Sequence, residues 1–391
     1  MPITRRIIEL IEPDLQKKMV ILSGPRQCGK TTLAKSLAHL HLGQYYSWDI
    51  HPDRLKLQKR ELDFASPFWA FDEIHKFARW RALLKDLSDS SMPGKKILVT
   101  GSAKLELYGR GGDSLQGRYF SHHMHPITYA ELHDLPLVSL EQFPFLPNAS
   151  QASLKDLLTL GGFPEPLLSG SQTEADRWRL NYAERITREE IMSLERVVEI
   201  ERIELLFDRL KDIAGGIVSV NSLREDLQVA FETVSKYLDI LERLYAIFRV
   251  LPSGADKIKA VKKEKKLYFW DWAYCATEGA RFENMLALHL LRYCDLARDL
   301  WGKDLSLRYF RHRDGKEVDF ILFLNRKPWI AIEAKLSDSK LSPALKYYLE
   351  RFKLPYAFQV VLSNAQERTL ESINGCQVRI VSAQRFLANL G

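Results

Sequence analysis

The segment that most constrains this chain is GPRQCGKT, residues 24 to 31, which has the spacing GxxxxGK[ST]. It follows the apolar run KKMVILS and precedes TLAKSLAHL, in which leucines recur at helical spacing. Glycines let backbone N–H groups surround a phosphate at a helix amino terminus, the lysine adds positive charge, and the threonine hydroxyl can ligate Mg²⁺. The sequence therefore predicts a strand, a phosphate-binding loop and a helix, and with them a nucleotide site.

Two downstream segments carry the other polar groups that such a site needs. FWAFDE, residues 68 to 73, ends in Asp72, which is expected to hold Mg²⁺ through water together with Thr31, and in Glu73, which is expected to polarise the attacking water. KKILVTGS ends in Thr100 and Ser102, hydroxyls that either sense the γ-phosphate or cap a turn. The alternative for the two acids is a strand end that only faces solvent. The residues predicted to bind the nucleotide are Gly24, Pro25, Arg26, Gln27, Cys28, Gly29, Lys30, Thr31, Thr32, Asp72 and Ser102.

A family resemblance is carried by six segments, in the order GPRQCGKTTL, SWDIHPDRL, FDEIHKFARW, ILVTGSAKLEL, LQGRYF and GGFPEP. The chain resembles AAA+-type P-loop ATPases, in particular the bacterial and archaeal group called archaeal-type or MNS-clade ATPases. This resemblance implies ATP as the ligand, Mg²⁺ as its metal, and an arginine that reaches the γ-phosphate. Arg118, in a Gly-Arg pair before a strand, is the candidate and Arg110 is the other; a surface ion pair is the alternative for either. Because such sites often borrow an arginine from a neighbour, a homo-oligomer is also implied.

The middle of the chain has the plan of a winged helix-turn-helix. Residues 201–216, 219–228 and 231–245 are predicted as three helices, and two strand-like runs then flank SGADKIKAVKKEKK. A lysine-rich hairpin tip can contact phosphates without reading bases, so the expected partner is nucleic acid, with DNA favoured. A structural connector with a solvated lysine loop is the alternative. The lysines assigned to this wing are Lys257, Lys259, Lys262, Lys263, Lys265 and Lys266.

The carboxy-terminal third holds a second set of chemical groups, in the stretch EVDFILFLNRKPWIAIEAK. If the two strands turn at residues 325–327, Asp319 and Glu333 each lie seven residues from Arg326 and therefore face each other. Facing side chains have Cβ atoms roughly 4.5 to 5.5 Å apart, close enough for both carboxylates to share one divalent metal. Lys335 is on the same strand face as Glu333. There it is expected to orient or help deprotonate a water and to stabilise charge on a scissile phosphate.

The element order helix, three strands, helix, strand resembles the core of the PD-(D/E)xK nuclease fold. That resemblance implies Glu283, on the first helix, as a further metal ligand, and a Mg²⁺- or Mn²⁺-dependent cleavage of phosphodiesters. Val318 stands where the superfamily pattern has proline. Two interpretations stay open: an active nuclease under nucleotide control, or a nucleotide-switched DNA- or protein-binding regulator whose nuclease-like domain is inert.

Taken together, the sequence predicts an α/β chain in four parts. Residues 1–135 form a P-loop AAA+-type ATPase domain, 136–200 a loop and helical linker or lid, 201–270 the winged helix, and 271–391 the PD-(D/E)xK nuclease-like domain. The 391 residues carry a net charge of +7, which suits an anionic partner. Four cysteines without a CxxC pair argue against zinc and suit a reducing cytoplasm, and no run is apolar enough for a membrane helix.

Overall fold

The computed structural model describes residues 3, 5–90, 94–102, 115–190, 200–253, 264–337, 340–363 and 365–391. These residues form two compact units, each described separately. The amino-terminal unit comprises Arg5–Pro126 and Arg243–Tyr245, and the carboxy-terminal unit contains Ile127–Glu242 and Ala246–Gly391. Of the helices in the described ranges, none is both long and apolar enough to cross a membrane.

The amino-terminal unit is built on a five-stranded sheet with helices in the connections. Its strands are β1 (Met19–Ser23), β2 (Gln44–Ser47), β3 (Phe68–Asp72), β4 (Lys96–Gly101) and β5 (Tyr119–His123). Its helices are α1 (Ile7–Leu15), α2 (Lys30–Leu40), α3 (His51–Lys59) and α4 (Trp80–Asp89). The predicted strand, loop and helix around residues 24 to 31 are confirmed as β1, the loop and α2.

The sheet has the order β2-β3-β4-β1-β5, and every neighbouring pair is parallel. β1 and β3 are buried along their whole lengths, as expected for parallel strands that are covered on both faces. The carboxyl ends of parallel strands lie at one edge of a sheet. The loop that follows β1, Asp72 at the end of β3, and Thr100 near the end of β4 therefore lie along the same edge.

The carboxy-terminal unit begins with helices and ends with a mixed sheet. Its helices are α5 (Tyr129–Leu132), α6 (Lys155–Leu160), α7 (Pro164–Ser169), α8 (Gln172–Glu184), α9 (Ile200–Asp212), α10 (Val220–Leu227), α11 (Phe231–Arg243), α12 (Glu278–Trp301), α13 (Pro343–Arg351) and α14 (Ala383–Leu387). Its strands are β6 (Ile247–Pro252), β7 (Lys266–Phe269), β8 (Leu305–Arg311), β9 (Glu317–Leu324), β10 (Lys327–Ser337), β11 (Tyr356–Ser363), β12 (Arg368–Thr369) and β13 (Gln377–Ser382).

The eight strands have the order β12-β13-β11-β10-β9-β8-β6-β7. The predicted order of helix, three strands, helix and strand is confirmed in α12, β8, β9, β10, α13 and β11. Three helices, α9 to α11, also precede β6 and β7 as predicted. β6 pairs with β7 on one side and with β8 on the other, so β6 and β7 extend the sheet that β8 begins. The predicted boundary at residue 270 therefore separates strands of one continuous sheet. The winged helix itself stays a prediction.

The lysines predicted for the wing fall into two groups. Lys257, Lys259, Lys262 and Lys263 lie outside the described residues, as does Arg110. Lys265 is partly exposed. The prediction that Lys266 lies at an exposed hairpin tip is wrong, because Lys266 begins β7 and is 1% exposed. Three carboxylates surround its ammonium group and offset the cost of burying it.

The hairpin between β9 and β10 sets the register of the predicted acid pair. The sequence predicts a turn centred on Arg326, but the turn has two residues, Asn325 and Arg326, and both have positive φ. Leu324 consequently pairs with Lys327, which is one residue out of the predicted register. The turn prediction is therefore wrong.

A β-bulge restores the predicted register further along the same hairpin. The pairing shifts between residues 328 and 330, and beyond this shift Phe320 lies opposite Ile332. Continuing that ladder by one residue brings Asp319 opposite Glu333, as predicted. The extra residue of the bulge compensates for the shorter turn, so the register beyond the bulge is the one that the sequence predicts although the turn is not.

Candidate nucleotide site and carboxylate centre

The loop between β1 and α2 is folded closely against its surroundings. Gly24 lies against the main-chain carbonyl of Met124, and any side chain at this position would clash with that carbonyl. Gly29 has a φ of 102°, which suits glycine, and α2 begins at the next residue. The first N–H groups of a helix have no acceptor within the helix, which is why this kind of terminus binds phosphate.

Lys30 is buried, and its ammonium group is held by the loop itself. Its Nζ donates to the carbonyl oxygens of Gly24, at 2.9 Å, and of Pro25, at 2.7 Å. Both acceptors are neutral. A phosphate is the stronger partner for the same ammonium group because both groups are then charged and attract each other directly.

Arg5 braces the loop from outside the motif. Its guanidinium donates to the carbonyl of Cys28 at 2.8 Å and to that of His125 at 2.5 Å. Cys28 itself is fully buried. The motif has no signal for Arg5, because the contact joins residues that are far apart in the sequence.

Asp72 is the centre of a hydrogen-bond network at the carboxyl edge of the sheet. Thr31 Oγ1 donates to Asp72 Oδ2 at 2.8 Å, and the Tyr45 hydroxyl donates to the same oxygen at 2.6 Å. Thr100 donates to the other oxygen, Oδ1. Burial, followed by the bond to Asp72, raises the pKa of Tyr45, so its hydroxyl keeps the proton that it donates. The fold thus brings the two predicted magnesium ligands, Thr31 and Asp72, into direct contact.

Glu73 follows β3 and has a φ of 54°, a left-handed conformation that is uncommon for residues other than glycine and that clusters at functional sites. Its Oε2 accepts a hydrogen bond from Ser102 Oγ at 3.3 Å and lies 3.4 Å from Lys76 Nζ. Lys76 also contacts both carboxylate oxygens of Asp49 at 2.8 Å. The predicted Glu73 and Ser102 are therefore together, and Lys76 and Tyr45 are partners that the sequence did not identify.

The structure places Arg118 away from this edge. β5 is parallel to β1 with Tyr119 beside Met19, so Arg118 lies at the amino ends of the strands. The phosphate loop follows the carboxyl end of β1, about five residues or roughly 16 Å further along. Arg118 instead makes a two-point contact with Asp89, at 2.7 and 3.1 Å. The prediction that Arg118 reaches the γ-phosphate is wrong for a site within one chain.

The carboxy-terminal unit brings a second group of charged side chains together, here called the carboxylate centre: Glu283, Glu317, Asp319, Glu333, Lys266 and Lys335. Asp319 on β9 and Glu333 on β10 lie next to the last ladder pair, Phe320 and Ile332, and are close enough for their charges to interact. The N–H of Ala334 donates to Asp319 Oδ2 at 2.9 Å, which fixes that carboxylate against the neighbouring strand.

Glu333 is 4% exposed, and its two oxygens differ in their partners. Oε1 accepts from Lys335 Nζ at 2.8 Å and from Ser342 Oγ at 2.9 Å. Oε2 is buried without a hydrogen-bond partner among the residues that the structure describes. Burial, and then the charge of Asp319, raise the pKa of Glu333 to about 7. A buried carboxylate oxygen with no donor is costly unless a cation or a proton satisfies it.

Glu283 lies in the second turn of α12, the helix that Thr277 caps by accepting from the N–H of Ala280. Its Oε1 accepts from the Tyr268 hydroxyl at 2.8 Å and from Lys266 Nζ at 3.0 Å. Burial, and then the charge of Asp319, raise the pKa of Glu283 to about 7. The predicted helix acid is therefore close enough to Asp319 for the two charges to interact.

Lys266 joins the remaining acids. Its Nζ lies 2.6 Å from Glu317 Oε1 and 3.7 Å from Asp319 Oδ1, in addition to its contact with Glu283. Burial lowers the pKa of this ammonium, but the three carboxylates outweigh burial and raise it. Lys266 is therefore a charged residue of the centre. The sequence did not identify it because its neighbours suggest a solvated lysine run.

The oxygen-rich donor set of this centre is of the type that Mg²⁺ and Mn²⁺ prefer. The partnerless Oε2 of Glu333 also fits a cation. However, nowhere in the described ranges do three or more His, Cys, Asp or Glu side chains converge at the spacing that holds a metal ion. The position of Lys266 among three of the four acids gives a physical reason, since its ammonium already provides the positive charge there.

A phosphate-binding loop on a parallel sheet, with Asp72 and Glu73 at the same edge, defines the class of P-loop nucleotide-binding proteins. Comparison with protein families specifies this further. Residues 16–133 match the model of an AAA domain, so the chain contains an AAA-type, ATPase-like domain in its amino-terminal region. Residues 151–279 match a domain of unknown function, DUF8612, and residues 278–382 match another, DUF4143.

The chain is also similar to uncharacterized proteins of archaea and bacteria. It is 24% identical to one from Methanocaldococcus jannaschii over an alignment of 406 positions. The alignment covers 89% of this chain and 81% of that protein. The chain is 25% identical to proteins from Mycobacterium tuberculosis and Mycobacterium bovis over 256 residues, or 65% of this chain. The match spans 54% of each mycobacterial protein, about half of its length.

Proposed function

We propose that the amino-terminal unit binds ATP with Mg²⁺ and hydrolyses it. The observation that carries this proposal is the 2.8 Å hydrogen bond between Thr31 and Asp72. These residues lie 41 positions apart, and the contact joins the hydroxyl after the P-loop lysine to the acid at the end of a neighbouring strand. This is the pair that holds Mg²⁺ in P-loop nucleotide hydrolases.

Each predicted residue has a role in this proposal. The N–H groups of the loop and Lys30 bind the phosphates, and Thr31 and Asp72 hold the metal, directly and through water. A bound Mg²⁺ would neutralise charge on the phosphate oxygens. Glu73 orients and polarises the water, and Ser102 holds the Glu73 carboxylate that does so.

The test is phosphate release from ATP by the full chain with Mg²⁺, compared with the same reaction in excess EDTA. We expect metal-dependent turnover and tight binding of a fluorescent ATP analogue. Failure to bind the analogue would reject the proposal. Binding without turnover would reject hydrolysis and support the second interpretation, a nucleotide-switched regulator.

We further propose that the carboxylate centre is a metal-dependent site for phosphodiester hydrolysis, as in PD-(D/E)xK nucleases. The buried Oε2 of Glu333, which has no donor within the described residues, carries this proposal because Glu333 is close enough to Asp319 for the two charges to interact. Glu283, Asp319 and Glu333 would hold the ion. A bound Mg²⁺ or Mn²⁺ would stabilise negative charge on the phosphate oxygens. The proposed substrate is nucleic acid, with DNA favoured, bound by the lysines of the predicted wing other than Lys266.

Lys335 has a narrower role than the sequence suggested. Burial lowers its pKa, but the carboxylates of Glu333, Asp319 and Glu283 together outweigh burial and raise it, so the ammonium stays charged near neutral pH. A charged ammonium stabilises an oxyanion and does not accept a proton from water. We therefore assign Lys335 to charge stabilisation at the scissile phosphate.

Labelled single- and double-stranded DNA and RNA, incubated with Mg²⁺ or Mn²⁺ and with or without ATP, provide the test. Metal-dependent cleavage that is lost in Lys335→Met would support the nuclease. The matched control is Lys340→Met, which changes a nearby exposed lysine outside the centre. Absence of cleavage under all of these conditions would reject it and leave the regulator with an inert nuclease-like domain.

A further inference from the structure

Lys266 is arranged differently from a lysine in an ordinary buried ion pair. One ammonium group here contacts three carboxylates, of Glu283, Glu317 and Asp319. The lysine is 1% exposed, whereas the three acid side chains are 20%, 27% and 15% exposed. The acids therefore reach solvent, whereas the ammonium group that contacts them is buried.

The charges of the centre do not balance. The ammonium groups of Lys266 and Lys335 contact the carboxylates of Glu283, Glu317, Asp319 and Glu333. The Arg311 guanidinium lies 3.8 Å from Glu317 Oε2, but it is 48% exposed, so water screens this pair and it is left out of the following charge count. When all are ionised, two negative charges remain, which is the charge that one divalent cation neutralises. Without Lys266 the excess would be three, more than one such ion can neutralise.

A second observation points to where a cation would bind. Glu333 Oε2 is buried and has no hydrogen-bond partner among the described residues, although Oε1 of the same carboxylate has two. Within the described residues, Lys266 forms ion pairs with Glu283, Glu317 and Asp319, and Glu333 is not among its partners. The centre thus has three acids that share Lys266 and a fourth, Glu333, that pairs with Lys335 through Oε1 and leaves Oε2 for a cation.

We infer that Lys266 is a resident counter-ion that takes the place of a divalent cation among Glu283, Glu317 and Asp319. This inference rests on the proposed metal-binding role of the carboxylate centre, which it deepens. Lys266 repels a second ion and competes for the carboxylates that would bind it. The centre therefore takes one divalent cation, at Glu333, and takes it weakly.

The test measures Mn²⁺ binding by the full chain without nucleotide, using the electron paramagnetic resonance signal of free Mn²⁺. Lys266→Met keeps most of the side-chain volume and removes the charge. We expect this variant to bind Mn²⁺ at least about tenfold more tightly than wild type and to bind one more ion per chain, because a full positive charge has been removed within 4 Å of the acids. Lys266→Arg keeps the charge and should bind as wild type does. Lys265→Met removes the neighbouring, partly exposed lysine and should also bind as wild type does.

Removing Lys266 leaves three closely spaced acids without their shared cation, so folding must be monitored by thermal unfolding. We expect Lys266→Met to have a lower Tm than wild type without metal, and Mn²⁺ to restore it. If this variant does not fold even with Mn²⁺, Mn²⁺ binding is measured instead for Lys266→Met/Glu317→Gln, in which one acid is also neutralised. That double variant should bind Mn²⁺ at least about tenfold more tightly than Glu317→Gln alone.

Equal Mn²⁺ affinity and stoichiometry in wild type and folded Lys266→Met, or in the double variant and Glu317→Gln, would overturn the inference. The nuclease proposal fails separately. Tighter Mn²⁺ binding by Lys266→Met with no cleavage of nucleic acid by wild type would uphold the role of Lys266 and reject the nuclease. Cleavage of nucleic acid by wild type, together with unchanged Mn²⁺ affinity in Lys266→Met, would support the nuclease and reject the role of Lys266.

Discussion

Two buried lysines lie at the centres of the two sites, and their partners are opposite in kind. Lys30 is held by two main-chain carbonyls, which are neutral. Lys266 is held by three carboxylates, which are charged. Both ammonium groups are nearly inaccessible to solvent, so burial alone does not distinguish them.

The difference decides which lysine can change partners. Exchanging a neutral carbonyl for a phosphate strengthens the hydrogen bond of Lys30, because the new acceptor is charged. Removing Lys266 from its carboxylates would leave buried charges without compensation, a change that typically costs about 3–5 kcal/mol in buried ion pairs. The first lysine is therefore suited to binding a ligand that comes and goes, and the second to holding a permanent charge distribution.

The largest expected effect in the amino-terminal unit comes from Glu73→Gln. The amide keeps the size of the side chain but cannot polarise water as a carboxylate does, so ATP hydrolysis should fall by roughly 10²- to 10⁴-fold. Affinity for ATP should change little. Phosphate release and equilibrium binding of an ATP analogue separate the two quantities. Glu61→Gln, an exposed acid of the same unit, is the control, and hydrolysis at the wild-type rate in Glu73→Gln would remove Glu73 from the site.

Lys30→Ala tests the exchange of partners directly. Losing a hydrogen bond to a charged group typically costs about 1.5–3 kcal/mol, so ATP affinity should fall by roughly 10- to 100-fold. Calorimetric titration of the nucleotide measures this loss. Lys59→Ala, at the exposed end of α3, should bind ATP as wild type does. Unchanged ATP affinity in Lys30→Ala would mean that in wild type the Lys30 ammonium stays with its carbonyl partners when ATP binds. The proposed difference between Lys30 and Lys266 would then be wrong.

A smaller effect is expected from Tyr45→Phe, which removes one of the three hydroxyls that hold Asp72. The Mg²⁺ concentration that half-saturates ATP hydrolysis should rise by roughly tenfold, because groups that orient a metal-binding residue typically contribute 10- to 100-fold to metal affinity. Tyr46→Phe is the matched control, since the Tyr46 hydroxyl accepts from the N–H of Asp63 instead. An unaltered Mg²⁺ requirement in Tyr45→Phe would show that Thr31 and Thr100 suffice to orient Asp72.

The sequence predicts the nucleotide site well where the chemistry lies within one short segment. The Gly24 to Thr31 spacing specifies a loop that needs glycine at a positive φ and a helix that begins at Lys30, and both are local properties of the chain. Asp72 and Glu73 follow from one apolar run that ends in two acids. By contrast, Tyr45 contacts Asp72 only because β2 and β3 are placed side by side, and a single sequence carries no signal for that placement. Lys76 lies three residues after Glu73, and its contact with that acid is local.

The carboxylate centre shows how a correct prediction can depend on compensating errors. The sequence predicts Asp319 opposite Glu333 by assuming a symmetric turn centred on Arg326. The chain instead makes a two-residue turn and then a β-bulge, which together give the same register. Alternating apolar residues on both strands fix which faces are buried, and a bulge is the adjustment that preserves this alternation. Lys266 was misplaced for the opposite reason. A lysine run indicates a solvated loop, and only the tertiary structure brings three acids to its last member.

We propose that the nucleotide site hydrolyses ATP and that the carboxylate centre separately cleaves phosphodiesters. The variant Asp319→Asn in the full chain tests this separation most directly. Asparagine keeps an oxygen that can accept from the N–H of Ala334 and removes the charge that a divalent cation would need. The measurement is cleavage of labelled DNA with Mn²⁺ and ATP hydrolysis with Mg²⁺ in the same preparation, with Asp304→Asn as the exposed control. We predict that Asp319→Asn loses cleavage and hydrolyses ATP as wild type does. Undiminished cleavage by Asp319→Asn would contradict the account.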